Sequence, residues 1–401
     1  MSERPCIVLG VESQIGLAII RELGLHGIRV VAVSHTPHAI GLFSRHVWRR
    51  LVVPGQRSAA LLAALRATGD ELGACSLITI SEANLMWLQT VRHELSPLRP
   101  ALPDAKALRA VLDKQVTLAL ATEVGILVPR TEDPRSLDDI DRIAADFPFP
   151  AVLKWKDPNA VAASLATAGI PLHKAEFVYD AVELRTVGHR YSGIGRWPLI
   201  QQYCPGRGLG QFIFMHQGRA VRRFQHLRIA EWPPEGGFSS VCEGVPLARH
   251  LVLQERSTAL LQRIGWSGVA MVEYRLDEGS DQAWLMEING RFWGSLPLAS
   301  HAGAGFALLA HYAALGEALP ELPPARDGLR CRMVATELKR LWRLLIRPEL
   351  VTDRQFRIRR VAEVARFIAD FFRPRVSYYV WNWRDPQPFL KDLANLLLRR
   401  G

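Results

Sequence analysis

The sequence predicts an α/β chain over its first hundred residues and an α+β chain, with mixed and antiparallel sheet, beyond them. Three observations carry that expectation. Strand-length apolar runs alternate with helix-period segments from residue 5 to about residue 95, the pattern of a doubly wound layer. From about residue 198 onward, strand-like runs follow one another through Gly-containing turns, as antiparallel hairpins do. Charge is uneven: residues 330–401 carry 17 Lys/Arg against 7 Asp/Glu, hence +10 of the net +11, which sets off a basic tail.

A chain of 401 residues has room for two or three domains with their own cores. Its 49% hydrophobic and 22% charged residues are ordinary for a soluble globular protein. No apolar run reaches the roughly 18 residues of a membrane span. The N-terminus runs straight into a strand without a signal-peptide layout, so a cytoplasmic protein is expected. Cys6, Cys75, Cys204, Cys242 and Cys331 lack metal-ligand spacing, which predicts reduced thiols and no zinc.

In order, "PCIVLG" reads as a buried strand, "QIGLAIIRELGLHG" as an amphipathic helix closed by Gly27, and "IRVVAVS" as a second strand. The loop "GVESQIG" lacks the Gly-x-Gly-x-x-Gly dinucleotide fingerprint. Helix Ser58–Thr68, strand "CSLITI" and helix Glu82–Glu94 continue the alternation. Ser81 and Glu82 stand at the carboxyl end of that strand, where open α/β sheets bind ligands, although Ser81 is equally explained as a helix N-cap. "SPLRPALP" is a Pro-rich break. Helix Asp104–Leu112 follows, and then Asp113 caps a helix that begins at Lys114 and stops at Gly125. A cation in the first helical turn opposes the helix dipole, a placement that makes sense beside a phosphate. Helix Ser136–Asp146 leads to a strand ending in Lys154, and a lysine in an apolar strand needs an anion or a route to solvent.

"LIQQYCPG" is a strand that carries Gln201 and Gln202, and two further strands turn at His216–Gly218. "AEWPPEGGFSSVCEGVP" reads as a polar binding loop or lid. Helix Leu247–Ile264, strands Val269–Leu276 and Ala283–Ile288, and a Gly/Ala-rich helix complete this part. The tail is expected to be helical and amphipathic. A packed helical cap is its default role, with contact to anionic membranes second and a nucleic-acid patch third.

The hairpin at residues 268–298 holds the chemistry. Side chains alternate faces along a strand, so Glu287, Asn289 and Arg291 project to one side, and Glu273 shares a face with Met271 and Arg275. Two bare carboxylates about 4 Å apart repel by roughly 4 kcal/mol at an effective dielectric near 20. A bound cation reverses that, and Glu, Glu and Asn oxygens suit a hard ion such as Mg²⁺ completed by phosphates.

The ordered set Lys114, Lys154, "LIQQYCPG", Glu273 and Glu287-x-Asn289-x-Arg291 resembles the ATP-grasp superfamily of ligases over roughly residues 1–320. "EWPPEGGFSSVCEGV" and "MEINGRFWGS" narrow the likeness to a bacterial branch of carboxylate–amine ligases. The resemblance implies a Rossmann-like pre-ATP-grasp domain at 1–100, a small lid domain and linker at 101–200, a large domain with the metal site at 201–325, and a basic helical extension at 326–401. It implies ATP and Mg²⁺, with Mn²⁺ as an alternative ion. Lys114 and Lys154 would reach the nucleotide phosphates, and Gln201 with the backbone from Gln202 through Tyr203 to Cys204 would read the adenine. Glu273, Glu287 and Asn289 would hold the metal, and Arg291 and Arg228 would stabilise developing charge, Arg228 being equally well an ordinary strand arginine. Ser239, Ser240 and Glu243, with Ser81 and Glu82, would lie near the substrate or the phosphates. Two departures stand out: the segment after Lys154 has no glycine-rich run, and Gly290 stands where close relatives usually have Pro.

The implied reaction activates a small carboxylic acid as an acyl phosphate and joins it to an amine, with no nucleic acid involved. An ATP-dependent carboxylase or phosphotransferase on the same scaffold, and a non-enzymatic membrane or RNA binder using the tail, are the alternatives.

Overall fold

Three sheets organise the chain, each built from a separate stretch of sequence. The structure, a computed structural model, describes residues 4–173 and 175–398, so residues 1–3, 174 and 399–401 of the expected domains lie outside the described residues. The first sheet runs through β1 (Cys6–Leu9), α1 (Gln14–Leu25), β2 (Val30–Ser34), β3 (Val47–Val52), α2 (Ala59–Leu72), β4 (Ser76–Thr79), α3 (Glu82–Thr90) and β5 (Arg99–Pro100). Its strands are parallel in the order β3-β2-β1-β4-β5, as the alternation of strand and helix predicts. The strand β3 is absent from the sequence reading. Its run "VWRRLV" alternates half-buried and exposed positions at the sheet edge, with Arg49 and Arg50 in the middle, so it lacks the apolar signal of its neighbours. Connections leave β1 in opposite directions, and the carboxyl ends of β1 and β4 form the crevice such a switch point creates.

The second unit holds α4 (Ala105–Leu112), α5 (Lys114–Glu123), β6 (Thr131–Glu132), α6 (Leu137–Asp146), β7 (Ala151–Lys154), α7 (Pro158–Thr167), β8 (Glu176–Val178), α8 (Ala181–Ser192) and β9 (Leu199–Gln202). Its four strands pair antiparallel in the order β6-β9-β7-β8. The segment after Lys154, which has no glycine-rich run, holds the helix α7.

The third sheet is the largest, in the order β14-β13-β10-β11-β12-β15-β16. It comprises β10 (Arg207–His216), β11 (Arg219–Trp232), β12 (Phe238–Gly244), α9 (Leu251–Ile264), β13 (Gly268–Asp277), β14 (Gln282–Asn289), α10 (Leu296–His301), α11 (Phe306–Leu315), β15 (Arg330–Arg332), α12 (Val334–Ile346), α13 (Arg360–Phe372), β16 (Val376–Tyr378) and α14 (Gln387–Leu398). One face packs Leu209, Ile213, Leu227, Val272, Tyr274 and Ile288 against Leu260 and Leu261 of α9. The other packs Phe212, Phe224 and Met271 against Trp293, α10, α11 and the first unit's α1. Trp293 stacks on Phe212 with ring centroids 4.1 Å apart, which clamps the segment after β14 onto the sheet.

Two expectations need correction. "GFSSVCEGV" is not a flexible loop but the strand β12, paired with β11 and β15; the Pro-Pro and Gly-Gly pairs confine the turn to the residues before it. The extension is not wholly helical either, since β15 and β16 add two strands to the sheet. Among the described residues, no helix is long and apolar enough to cross a membrane, and the five cysteines are buried and unpaired.

Candidate active site

The site forms between the four-stranded sheet, the polar end of the seven-stranded sheet, and the start of α5. Local sequence places Lys114: Asp113 Oδ1 accepts from the N–H groups of Gln115 and Val116 at 2.9 and 3.2 Å, which caps α5 and sets the lysine in its first turn. Its Nζ lies 3.8 Å from Glu287 Oε2. Lys154, at the end of β7, donates to Gln201 Oε1 at 3.1 Å, and Gln201 donates in turn to Thr131 Oγ1 at 3.2 Å. Burial holds the Lys154 ammonium below its ordinary pKa, the Lys114 charge adds to that, and Glu287 opposes it. An arriving polyanion would favour the charged form of Lys154.

Glu273 and Glu287 are direct cross-strand partners on β13 and β14, with a register shift immediately after Glu273. Asn289 Nδ2 donates to Glu287 Oε1 at 3.0 Å. Burial works against ionisation of Glu287, but Lys114, Asn289 and Arg228 outweigh it and hold its carboxyl below the usual range. Glu273 goes the other way: burial raises its pKa, Arg228 opposes this, and the like charge of Glu287 adds to it. The Arg228 guanidinium lies 2.6 Å from Glu273 Oε2 and 3.1 Å from Glu231 Oε1, and it donates to Gly237 O at 2.7 Å. It is a buried group inside an ion-pair chain, not a strand-surface arginine. Arg275 extends the chain, 3.1 Å from Glu231 Oε2 and bonded to the carbonyl of Gly206. Arg291 donates to Phe292 O at 3.0 Å and pairs with Glu82 at 3.2 Å, which brings the first sheet to the site.

Facing Arg275 and Glu273 on β10 are Gly208 and Gly210. A Cβ at Gly208 would collide with the Arg228 side chain, and one at Gly210 would come within 2.8 Å of His226 Nε2. The two glycines thus leave room for the Arg228 and His226 side chains to lie across β10. The oxygen donors of Glu273, Glu287 and Asn289 fit a hard divalent ion. Among the described residues no group of three or more His, Cys, Asp or Glu converges, so such an ion would need oxygens from phosphates as well.

Several expected residues lie elsewhere or are engaged. The N–H groups of Gln202 and Tyr203 donate to the carbonyls of Arg130 and Pro150, and Gln202 Oε1 accepts from Arg130 N. Those groups are thus committed within the sheet. Tyr203 Oη donates to Asp353 of the tail at 3.0 Å, and Tyr179 Oη donates to the same carboxylate at 3.1 Å. The Cys204 thiol is buried beside the site and pushed up to about 12 by burial, against Lys154 and Arg275. Ser81 caps α3 by accepting from Asn84 N at 3.2 Å and lines a cavity of about 160 Å³ with Glu12, Ser34, His35 and Arg57. Ser239 and Ser240 are buried on β12. Glu243 leaves the site altogether: it is the Cα partner of Leu227 and Arg330 and pairs with Arg330 at 2.5 Å. Period 2 puts it on the face opposite Arg228.

Sequence reasoning assigned no role to Arg275 and Glu231. Arg275 was on the right face by its parity with Glu273. Glu231 had no signal, because the register shifts near Ala230 change the parity that would have placed it.

Residues 245–322 match the family described as the carbamoyl-phosphate synthase L chain, ATP binding domain. No curated protein matches the sequence. Among solved structures, the biotin carboxylase domain of the Hydrogenobacter thermophilus 2-oxoglutarate carboxylase, determined with MgADP, ADP and bicarbonate, superposes with a TM-score of 0.62 at 14% identity, covering 82% of this chain and 74% of that one. The L-amino acid ligase from Bacillus licheniformis gives 0.54 at 17% identity, covering 79% and 75%. An N5-carboxyaminoimidazole ribonucleotide synthetase in its ADP complex gives 0.60 at 10% identity, covering 82% and 81%. At these identities the likeness is one of fold. The three-sheet architecture, the family match over β13 and β14, and these neighbours together show that this chain has an ATP-grasp-like fold.

Proposed function

We propose that the protein is an ATP- and Mg²⁺-dependent ligase that activates a small carboxylate as an acyl phosphate and joins it to an amine. The observation that carries this reading is the convergence of Lys114, Lys154, Glu273, Glu287 and Asn289 on one site. Glu273, Glu287 and Asn289 would hold the metal, which when bound neutralises phosphate oxygens and fixes their geometry. Lys114 and Lys154 would bind the triphosphate, and Gln201, which already orients Lys154, would sit at the adenine side. Arg228 and Arg291 would face charge developing on the transferred phosphoryl group and the carboxylate. No enzyme nucleophile is needed, because the substrate carboxylate itself would attack the γ-phosphorus and expel ADP, and the amine would then attack the acyl carbon, lose a proton and expel phosphate. The cavity beside Ser81 adjoins Glu82, which contacts Arg291, and would receive one of the two substrates.

The test is ADP release over pooled acids and amines, with hydroxylamine added to capture acyl phosphate as hydroxamate. Hydroxamate formation that depends on an acid is the expected result. In Glu287→Gln, turnover should fall by about three orders of magnitude or more, as a loss of about 4 kcal/mol of transition-state stabilisation implies, with an unchanged circular dichroism spectrum. Wild-type turnover in that variant would remove the assignment. The biotin carboxylase neighbours favour one second reading, a carboxylase, and ADP release that requires bicarbonate would select it.

A further inference from the structure

The helices α12 and α13 bury charged side chains and expose large apolar ones, although Leu341 and Leu344 of α12 also face inward. Between them and the sheet edge lies a buried ionic network: Arg332 with Glu337 at 2.6 Å, Arg330 with Asp370 at 2.6 Å, and Arg340 with Glu363 at 2.5 Å. Arg366 joins Glu363 at 2.9 Å. The side chains of Arg332 and Glu337 are 0% and 1% exposed. The outward faces are apolar. Leu338, Trp342 and Ile346, spaced i, i+4, i+8 on α12, are exposed, and on α13 so are Val361, Ile368 and Phe372, the first and last by more than 80%. A helix on a water-facing surface normally shows the reverse, with its apolar stripe inward and its charges outward. Single exposed apolar residues need no explanation, but a run of large ones on adjacent helices does.

We infer that the outer face of α12 and α13 is a docking surface whose occupant is an anionic lipid bilayer. Charge selects that occupant. Lys339, Arg359, Arg360 and Arg375 are exposed beside the apolar positions in sequence, and the stretch they belong to carries +10. A second copy of the chain would bring like charge against like charge, whereas acidic headgroups complement it. Geometry sets the mode. Each helix has 13 residues, about 20 Å of rise, too short to span a bilayer but suited to lying in its interface with Trp342 and Phe372 at headgroup depth.

The experiment uses the full chain with vesicles of phosphatidylcholine alone and of phosphatidylcholine with about one-third phosphatidylglycerol, an anionic fraction large enough for basic residues to read. Co-sedimentation should be at least about tenfold stronger on the anionic vesicles and should weaken with salt. The double variant Trp342→Ser/Phe372→Ser should lose at least about tenfold in partitioning, as two bulky groups leave the interface. Its circular dichroism and ADP release should match the wild type, because neither residue touches the cleft. If that variant misfolds, Lys339→Glu/Arg360→Glu should give the same loss on anionic vesicles. A wild-type chain that stays in the supernatant, or a correctly folded variant that partitions like the wild type, overturns the proposal. So does a wild-type dimer in sedimentation equilibrium that the variant converts to monomer, since the occupant is then a second copy.

Discussion

Replacing Arg228 by Met tests whether the ion-pair chain under the cleft holds the two carboxylates there. In the wild type the guanidinium serves Glu273 at 2.6 Å and Glu231 at 3.1 Å. Glu231 keeps a second partner, Arg275, at 3.1 Å, so its loss is compensated in part. Glu273 keeps none of comparable strength and stands across the strand pair from Glu287. Breaking a buried pair costs about 3–5 kcal/mol, and the partial rescue at Glu231 puts this one near the lower end, about 3 kcal/mol. Glu273→Gln alone leaves Arg228 with Glu231 and the Gly237 carbonyl, and should cost about 1 kcal/mol. The double variant should then cost about 2 kcal/mol less than the sum, because the unpaired carboxylate is gone. Opening free energies at the β11 and β13 amides, read by hydrogen exchange at equilibrium, report these values locally. Acidification should shrink the Arg228→Met cost. The Glu273 carboxyl is already raised by burial, loss of Arg228 raises it further, and protonation then removes the stranded charge. A single-variant cost below about 1 kcal/mol, or additivity within about 0.5 kcal/mol, would refute this account of the network.

Other expectations follow from single contacts. Asp353 accepts from both Tyr179 and Tyr203 and from Gln355 N; Asp353→Ala should cost about 2 kcal/mol, seen as faster exchange at β8 and β9 while β10 and β13 are unaffected. His311, fully buried with Nδ1 2.6 Å from Ser76 Oγ, is held at about 4 against 6.5 by burial. Its folded pKa is depressed, so the neutral ring stabilises fully above pH 6.5 and that contribution falls as pH drops toward 4. At pH 5 the loss is about 2 kcal/mol, and His311→Gln should flatten the pH dependence of exchange at β4 and α11 by that amount.

What could be read before the structure was local. The Asp113 cap and the Gly125 stop each depend on a few neighbouring residues, and the structure has both where the sequence places them. The parity that aligns Glu287 with Asn289, and Glu273 with Arg275, needed only the alternation of a strand. Contacts between distant segments left no such trace. Nothing near Asp353 in sequence points to Tyr179 or Tyr203, and nothing near Glu82 points to Arg291. Short strands failed for a related reason. "RCR" at Arg330–Arg332 is fully buried, but its arginines read as surface until their partners Glu337, Asp370 and Glu243 are known. The strand β12 was obscured by the Pro and Gly residues beside it, which are genuine turn signals that end sooner than they suggested. The side on which Glu243 lies depends on the pairing of β12 with β11 and β15, a register that no pattern revealed.

The two short strands β15 and β16 change how the C-terminal region can be dissected. Cutting the chain at residue 330 would strip β12 of its neighbour and bare the Cys242 thiol and the edge amides on which Cys331 and Arg332 now pair. An open edge of that kind recruits other chains, so aggregation after such a deletion would say nothing about lipid or catalysis. Roles for the last seventy residues have to be separated by exchanging single side chains in an otherwise intact polypeptide.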